Sequence, residues 1–476
     1  MKKTILGYAI GPIGSGLLGL ITLPILTWFY STDDIGRIAM LQVVSSFSMM
    51  LFTLGLDQAY VREYYESKNT PQLLKLAAIP GFILITICYG VILLISPTLI
   101  AQWMYGIPSS YLSIASVACF ILTLISRFLS LILRMEERSI AYSMSQVLPK
   151  VLFLIFILLT LLMAYRRDTA NLVTAHTLSI ATVFIIYAWN TRSEWLVALS
   201  QTIDIALLKK LIHYGFPLII GSLAVWGLNV MDRLFLRSMS TFDELGIYSV
   251  AMSFAGAATI IATLFNTIWA PLVLKWSTGG LDIKKIDQIS ENLLAAVFFL
   301  TVLAGLFSWV IALFLPEQYG PISYLLPICL LGPFFYTLSE TTAIGITLTR
   351  RTLYSMLASV GAMLANALGN YLFVPKWGAL GAASSTAIAF TIFYTLRTEF
   401  SCLVWRQIPR KNQYNTILVL TVIAITFGFV AIQYEFTPAL WVILLLLGIK
   451  HFRNQLIIFW KYINNQINID GLGSGK

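Results

Sequence analysis

Three basic side chains, Arg127, Lys150 and Arg233, stand inside long apolar stretches of this 476-residue chain. A charge at such depth is costly in hydrocarbon unless it is paired or wet. Each therefore marks either a cavity that could hold an anion or a structural contact. Arg127 is the strongest of the three. At about 100° per residue, Ser116, Thr123, Arg127, Ser130 and Arg134 fall within about 60° of one another, a polar stripe along one helix face. Such a stripe suits a cavity wall; the plainer alternative is an arginine bonded to backbone carbonyls. Lys150 follows Pro149, with Gln146 and Tyr142 one and two turns earlier. It faces a second protected zone or snorkels to the near surface over roughly 12 to 15 Å. Ser222, Trp226, Asn229 and Arg233 share a third face. The expected substrate contacts are thus Arg127, Lys150, Arg233 and Asn229.

Three carboxylates, Asp57, Asp232 and Glu340, are candidates for ion coupling or gating. Asp57 and Arg62 are five residues apart, diverge by about 140° on a helix, and do not pair directly. Asp232 adjoins Arg233, but helical neighbours do not face each other, so its partner lies elsewhere; an ion pair between lobes would act as a gate. Glu340 sits in the middle of an apolar run, where a carboxyl must be paired or held neutral. An ordinary interfacial or hydrogen-bonded structural role is the alternative for each. His176, His213 and His451 have no second ligand at helical spacing, so neither a metal site nor a cofactor is expected. The C-terminal Gly471-Leu472-Gly473-Ser474-Gly475-Lys476 lacks the spacing of a phosphate loop and reads as a flexible tail.

These residues must be positioned by membrane helices. The chain is 58% hydrophobic and 11% charged, with a mean hydropathy of +0.83, too little charge to cover a soluble domain. The net charge of +10 has no soluble basic face behind it, so nucleic acid is excluded as a partner. Apolar segments of about 20 residues, the length that crosses a bilayer core, recur along the whole chain. We read fourteen, from Ile5–Tyr30 to Thr437–Ile449, the last being short. With both termini in the cytoplasm, 23 of the 31 Lys and Arg fall at inside loops and ends and 5 outside, as the positive-inside rule requires. Arg166 and Arg167 run against it, Arg397 is counted among the inside ends and Arg237 among the outside loops. Cys88, Cys119, Cys329 and Cys402 lie in apolar runs as small hydrophobes.

The two halves echo one another. Gly14-Ser15 in the first segment matches Gly221-Ser222 in the seventh, and Ser31-Thr32-Asp33-Asp34-Ile35-Gly36 resembles Ser240-Thr241-Phe242-Asp243-Glu244-Leu245-Gly246. The expected fold is all-α: an N-lobe over 1–190, a cytoplasmic linker over 191–210, a C-lobe over 211–405, a helix pair over 406–460 and a tail over 461–476. Two such six-helix lobes, related by a pseudo-two-fold axis along the membrane normal, would enclose a central cavity. Gly7, Gly11, Ser15 and Gly19 at spacing four let the first span approach a neighbour, and Pro12, Pro24 and Pro217 could bend spans one and seven.

Four stretches carry a family likeness: the first span with Ser31 to Ile38; Gly55 to Glu66 (GLDQAYVREYYE); Asn229 to Leu236 (NVMDRLFL) with Gly246-Ile247-Tyr248; and Trp377 to Ala383 (WGALGAA). They resemble the polysaccharide flippases of the multidrug/oligosaccharidyl-lipid/polysaccharide exporter superfamily, in particular bacterial O-antigen or capsule repeat-unit translocases. The resemblance implies alternating access between two lobes, an undecaprenyl-pyrophosphate-linked oligosaccharide as cargo, H+ or Na+ coupling, a polysaccharide polymerase and membrane lipids as partners, and a place in the bacterial inner membrane. A multidrug exporter of the same superfamily is the near alternative, and the cations Arg127 and Lys150 argue against it. A polymerase or ligase would resemble its kind in a large outer loop, and no outer loop here exceeds about 15 residues.

Overall fold

The computed structural model describes residues 2–163, 166–278, 283–433 and 438–457, so the expected tail lies outside the described residues. Among those residues every regular element is helical. The helices are α1 (Lys2–Phe29), α2 (Thr32–Phe52), α3 (Leu56–Glu63), α4 (Thr70–Ile95), α5 (Leu99–Tyr105), α6 (Ser110–Met135), α7 (Ser139–Leu162), α8 (Thr169–Asn190) and α9 (Arg192–Ser200). Then follow α10 (Ile205–Met239), α11 (Phe242–Thr278), α12 (Ile283–Phe307), α13 (Trp309–Ala312), α14 (Ile322–Thr342), α15 (Ile344–Leu348), α16 (Leu353–Val404), α17 (Lys411–Gln433) and α18 (Ala439–His451).

Eleven described helices are long and apolar enough to cross a membrane. One of these, the 52-residue α16, is two helices joined at Gly378, whose φ of 47° breaks the helical path. The 37-residue α11 and the short apolar α18 coincide with the eighth and fourteenth segments of the sequence. The chain is a polytopic all-α membrane protein. Its outer surface is hydrocarbon: only 11% of the most apolar window of α4 or of α7 is buried in protein, against 78% for α14. The first two therefore face lipid, which solvates apolar side chains as well as a core does.

Side chains end the helices where the apolar runs stop. Ser31, Asn69, Ser109, Asp168 and Asp204 each accept a backbone N–H of the first turn of α2, α4, α6, α8 and α10. The expected linker is itself partly helical, as α9. The Lys75 ammonium holds the end of α9 by donating to the carbonyls of Leu199 (2.8 Å) and Gln201 (2.6 Å).

By contact the chain divides into two compact units. The first is 1–253 with 370–382, and the second is 254–369 with 383–476. In the first unit the two echoed motifs meet. A Cβ on Gly36 would lie 2.2 Å from the Phe242 carbonyl oxygen, and one on Gly246 would lie 2.0 Å from the Thr32 carbonyl oxygen. Each glycine thus seats the carbonyl four residues before the other, a reciprocal contact only hydrogen allows. The Thr32 hydroxyl adds a hydrogen bond to Asp243. In the second unit α18 docks on α12 by the same device: Gly305 clears the ring of the fully buried Trp441, and Gly448 that of Phe298. That packing holds the final helix pair in place despite the 13-residue length of α18.

Candidate functional site

α2 ends in a turn that a backbone contact imposes. Leu54 and Gly55 both have positive φ (53° and 68°), and a Cβ on Gly55 would sit 2.2 Å from the Gly215 carbonyl oxygen of α10. The turn delivers Asp57 to the first turn of α3, where free N–H groups favour a negative charge. There Asp57 Oδ2 accepts from Arg127 Nη2 at 2.9 Å and Nε at 3.2 Å. The two side chains are 11% and 33% accessible and share a cavity of about 190 Å³, of mixed polar and apolar lining, with Met49, Thr53, Gln58, Ile219 and Ser222. The guanidinium of Arg127 borders this space, with its charge matched by a carboxylate on the same wall.

The rest of the α6 stripe is a seam between helices. Ser116 is fully buried and bonds to the Tyr105 hydroxyl at 2.6 Å, Thr123 meets Ser45 at 3.3 Å, and Ser130 returns to its own helix at the Arg127 carbonyl. On the α10 stripe, Ser222 lines the Arg127 cavity. Trp226 donates to Ser46 Oγ (3.1 Å) with its ring 5.0 Å from Phe47. Asn229 is exposed and bonds the Val225 carbonyl one turn back, and Arg233 has a buried Nε with no hydrogen-bond partner. Lys150 is not among the residues lining the Arg127 cavity; its ammonium donates to the Ser15 carbonyl at 2.7 Å, across α1 and α7. Gly19 makes room for it, since a Cβ there would lie 3.2 Å from Lys150 Nζ.

The other two carboxylates have partners elsewhere. Asp232 is buried and accepts from the Tyr248 hydroxyl (2.5 Å) and from Asn370 Nδ2 (2.7 Å). Both of these partners are uncharged. In the second unit Glu340 Oε1 pairs with Arg397 Nη1 at 2.7 Å, and the same nitrogen bonds Ser339 Oγ at 2.7 Å. Arg397 is only 9% exposed and lies against the stacked rings of Tyr336 and Phe393. Arg397 was counted among the inside ends of the chain; it is instead a buried cation within α16. Its signal was a basic residue three positions inside an apolar run, read as an end because Phe400 closes that run. Asn370 carried no comparable signal, because its partner Asp232 is 138 residues away in sequence.

The fold and this arrangement define a membrane-embedded helical bundle with a paired charge beside a small cavity. The family described as "Polysaccharide biosynthesis protein" matches residues 1–276, and the chain belongs to that family. A search of curated proteins finds no match. Among solved structures the chain is similar to the lipid II flippase MurJ in an inward closed conformation, with a TM-score of 0.68 and 17% identity over 96% of this chain and 99% of that one. It is also similar to an inward-facing multidrug resistance MATE family transporter of the MOP superfamily, with a TM-score of 0.56 and 15% identity over 86% of this chain and 96% of that one. The MATE transporter VcmN of Vibrio cholerae, in mutant form, follows at 0.52 and 12% over 84% and 95%. At these identities the likeness is one of fold.

Proposed function

We propose that this chain is a secondary transporter that flips an undecaprenyl-pyrophosphate-linked oligosaccharide from the cytoplasmic to the outer leaflet by alternating access of two lobes, coupled to H+ or Na+. The observation that carries the reading is Arg127 beside its cavity. A pyrophosphate crossing hydrocarbon needs fixed positive charge in a wet site. Arg127 offers it, with Asp57 as the counterion that keeps the empty site neutral. When phosphate arrives, the Arg127 donors turn to it and Asp57 is released to take a cation, which links cargo to ion. The family membership and the MurJ-like fold support the same class of cargo. Arg233 and Asn229, on the α10 face that carries Ser222, extend the cargo path. Lys150 serves it from the α1–α7 seam, where its bond to the Ser15 carbonyl can be exchanged for an anion.

We assign Asp232 to ion coupling, since its buried carboxylate, held by a hydroxyl and an amide, lies in the family-like stretch Asn229 to Leu236 of α10. Glu340 with Arg397 acts as a gate, an ion pair that keeps α14 on α16. The lobes of this cycle are 1–190 and 211–405, joined by 191–210 and followed by 406–460. The membrane is the bacterial inner membrane and both termini are cytoplasmic. The test is export of lipid-linked glycan by cells carrying Arg127→Ala. The reading expects export to be abolished while the protein accumulates folded in the membrane, and normal export would refute it.

A further inference from the structure

We propose that the groove between α2, α4, α5 and α10 binds an anionic phospholipid, one acyl chain in the groove and the phosphate on Arg237. The groove is a cavity of about 720 Å³ walled by Val43, Phe47, Ile92, Trp103, Trp226 and Leu234, with Arg237 and Ser238 at one end. Leu99 and Trp103 of its lining are exposed, so it opens to the surrounding membrane. The far end is closed by the Phe47–Trp226 pair and by Tyr89 against Phe120 (5.2 Å).

Charge identifies the head group. Arg237 and Arg37 both lie over the Phe242 ring, at 4.6 and 4.9 Å. Arg37 is matched by Asp34 at 3.5 Å and Asp33 at 3.7 Å. Arg237 has no carboxylate within ion-pair distance among the described residues. Its Nε and Nη2 donate to the carbonyls of Met104 (3.3 Å) and Gln102 (3.4 Å), which aim the guanidinium along the groove mouth. An uncompensated guanidinium at the end of an apolar slot is the complement of a phosphate on a hydrocarbon chain.

Length identifies the chain. From Trp226 to Arg237 is eleven residues of α10, roughly 16 Å at 1.5 Å per residue, about one leaflet of a core roughly 30 Å thick. That accommodates an acyl chain of the local leaflet. A lipid seated here would tie α5 to α10.

The test uses the intact protein in nanodiscs doped with phosphatidylglycerol or phosphatidylcholine carrying brominated chains, which quench tryptophan on contact. We expect stronger quenching by the anionic lipid, with the difference between the two lipids lost when Trp103→Phe and Trp226→Phe are combined. Arg237→Gln should bring the two lipids to equality, and Arg237→Lys, which keeps the charge, should restore the preference. Equal quenching of the unaltered protein by both lipids would overturn the proposal. So would an undiminished anionic preference in Arg237→Gln, or quenching unchanged without the two tryptophans.

Discussion

Asp57–Arg127 and Glu340–Arg397 are the same chemical pair in different surroundings. The first borders a cavity, and its arginine is a third accessible. The second is 21% and 11% accessible, with a serine hydroxyl on the guanidinium and two aromatic rings beside it. An ion pair beside a wet space can be traded for a ligand, because water covers each charge while partners exchange. An ion pair packed among rings opens only where a new partner takes up each charge as the pair separates. In the proposed cycle the same residue types serve as the cargo site in one unit and as a gate in the other, and the neighbours of each arginine decide which.

The largest expected effect tests the sealed pair. Arg397→Met should cost about 3 kcal/mol or more, because it leaves Glu340 without its counterion, and the added change Glu340→Gln should recover most of the loss. Thermal unfolding in detergent reads both; equal loss in the single and double variants would show that packing and not charge matters there. Next is the reciprocal contact. Gly36→Ala and Gly246→Ala should each cost about 1 to 3 kcal/mol, by similar amounts, since each methyl meets a carbonyl in the same way. A large difference between them would break the local two-fold relation.

The open pair should behave differently. Asp57→Asn with Arg127→Gln should lower stability by about 1 kcal/mol at most, because water can satisfy both amides, while removing glycan export. A collapse of folding in this double variant would place the pair with the sealed one. The smallest effect belongs to the surface: Lys210, whose side chain is 61% accessible, bonds Glu63 at 2.6 Å. Lys210→Ala should change stability by about 0.5 kcal/mol or less, as the same unfolding measurement would show.

Much of this was legible in the sequence. Hydropathy and charge placed the apolar segments, and the repeat motif pointed to Gly36 and Gly246 without showing that they touch. The stripe through Arg127 identified a polar helix face, and Asp57 was singled out as well. Their pairing was not legible, because they are 70 residues apart and joined only by the Gly55 turn, whose cause is the backbone of Gly215. The stripe also overstated the cavity. Ser116 and Thr123 bond across to neighbouring helices, and periodicity cannot separate a seam from a wall. Arg397 was hidden by its nearness to the end of an apolar run, since a positive charge there follows the same rule as a loop residue.

The most direct measurement is transbilayer movement of a fluorescent pyrophosphate-linked polyprenyl saccharide in sealed proteoliposomes holding the unaltered protein or the Arg127→Gln variant. The account predicts rapid movement with the first and at least a tenfold slower rate, about 1.4 kcal/mol or more, with the second at equal folded protein. Equal rates would contradict it.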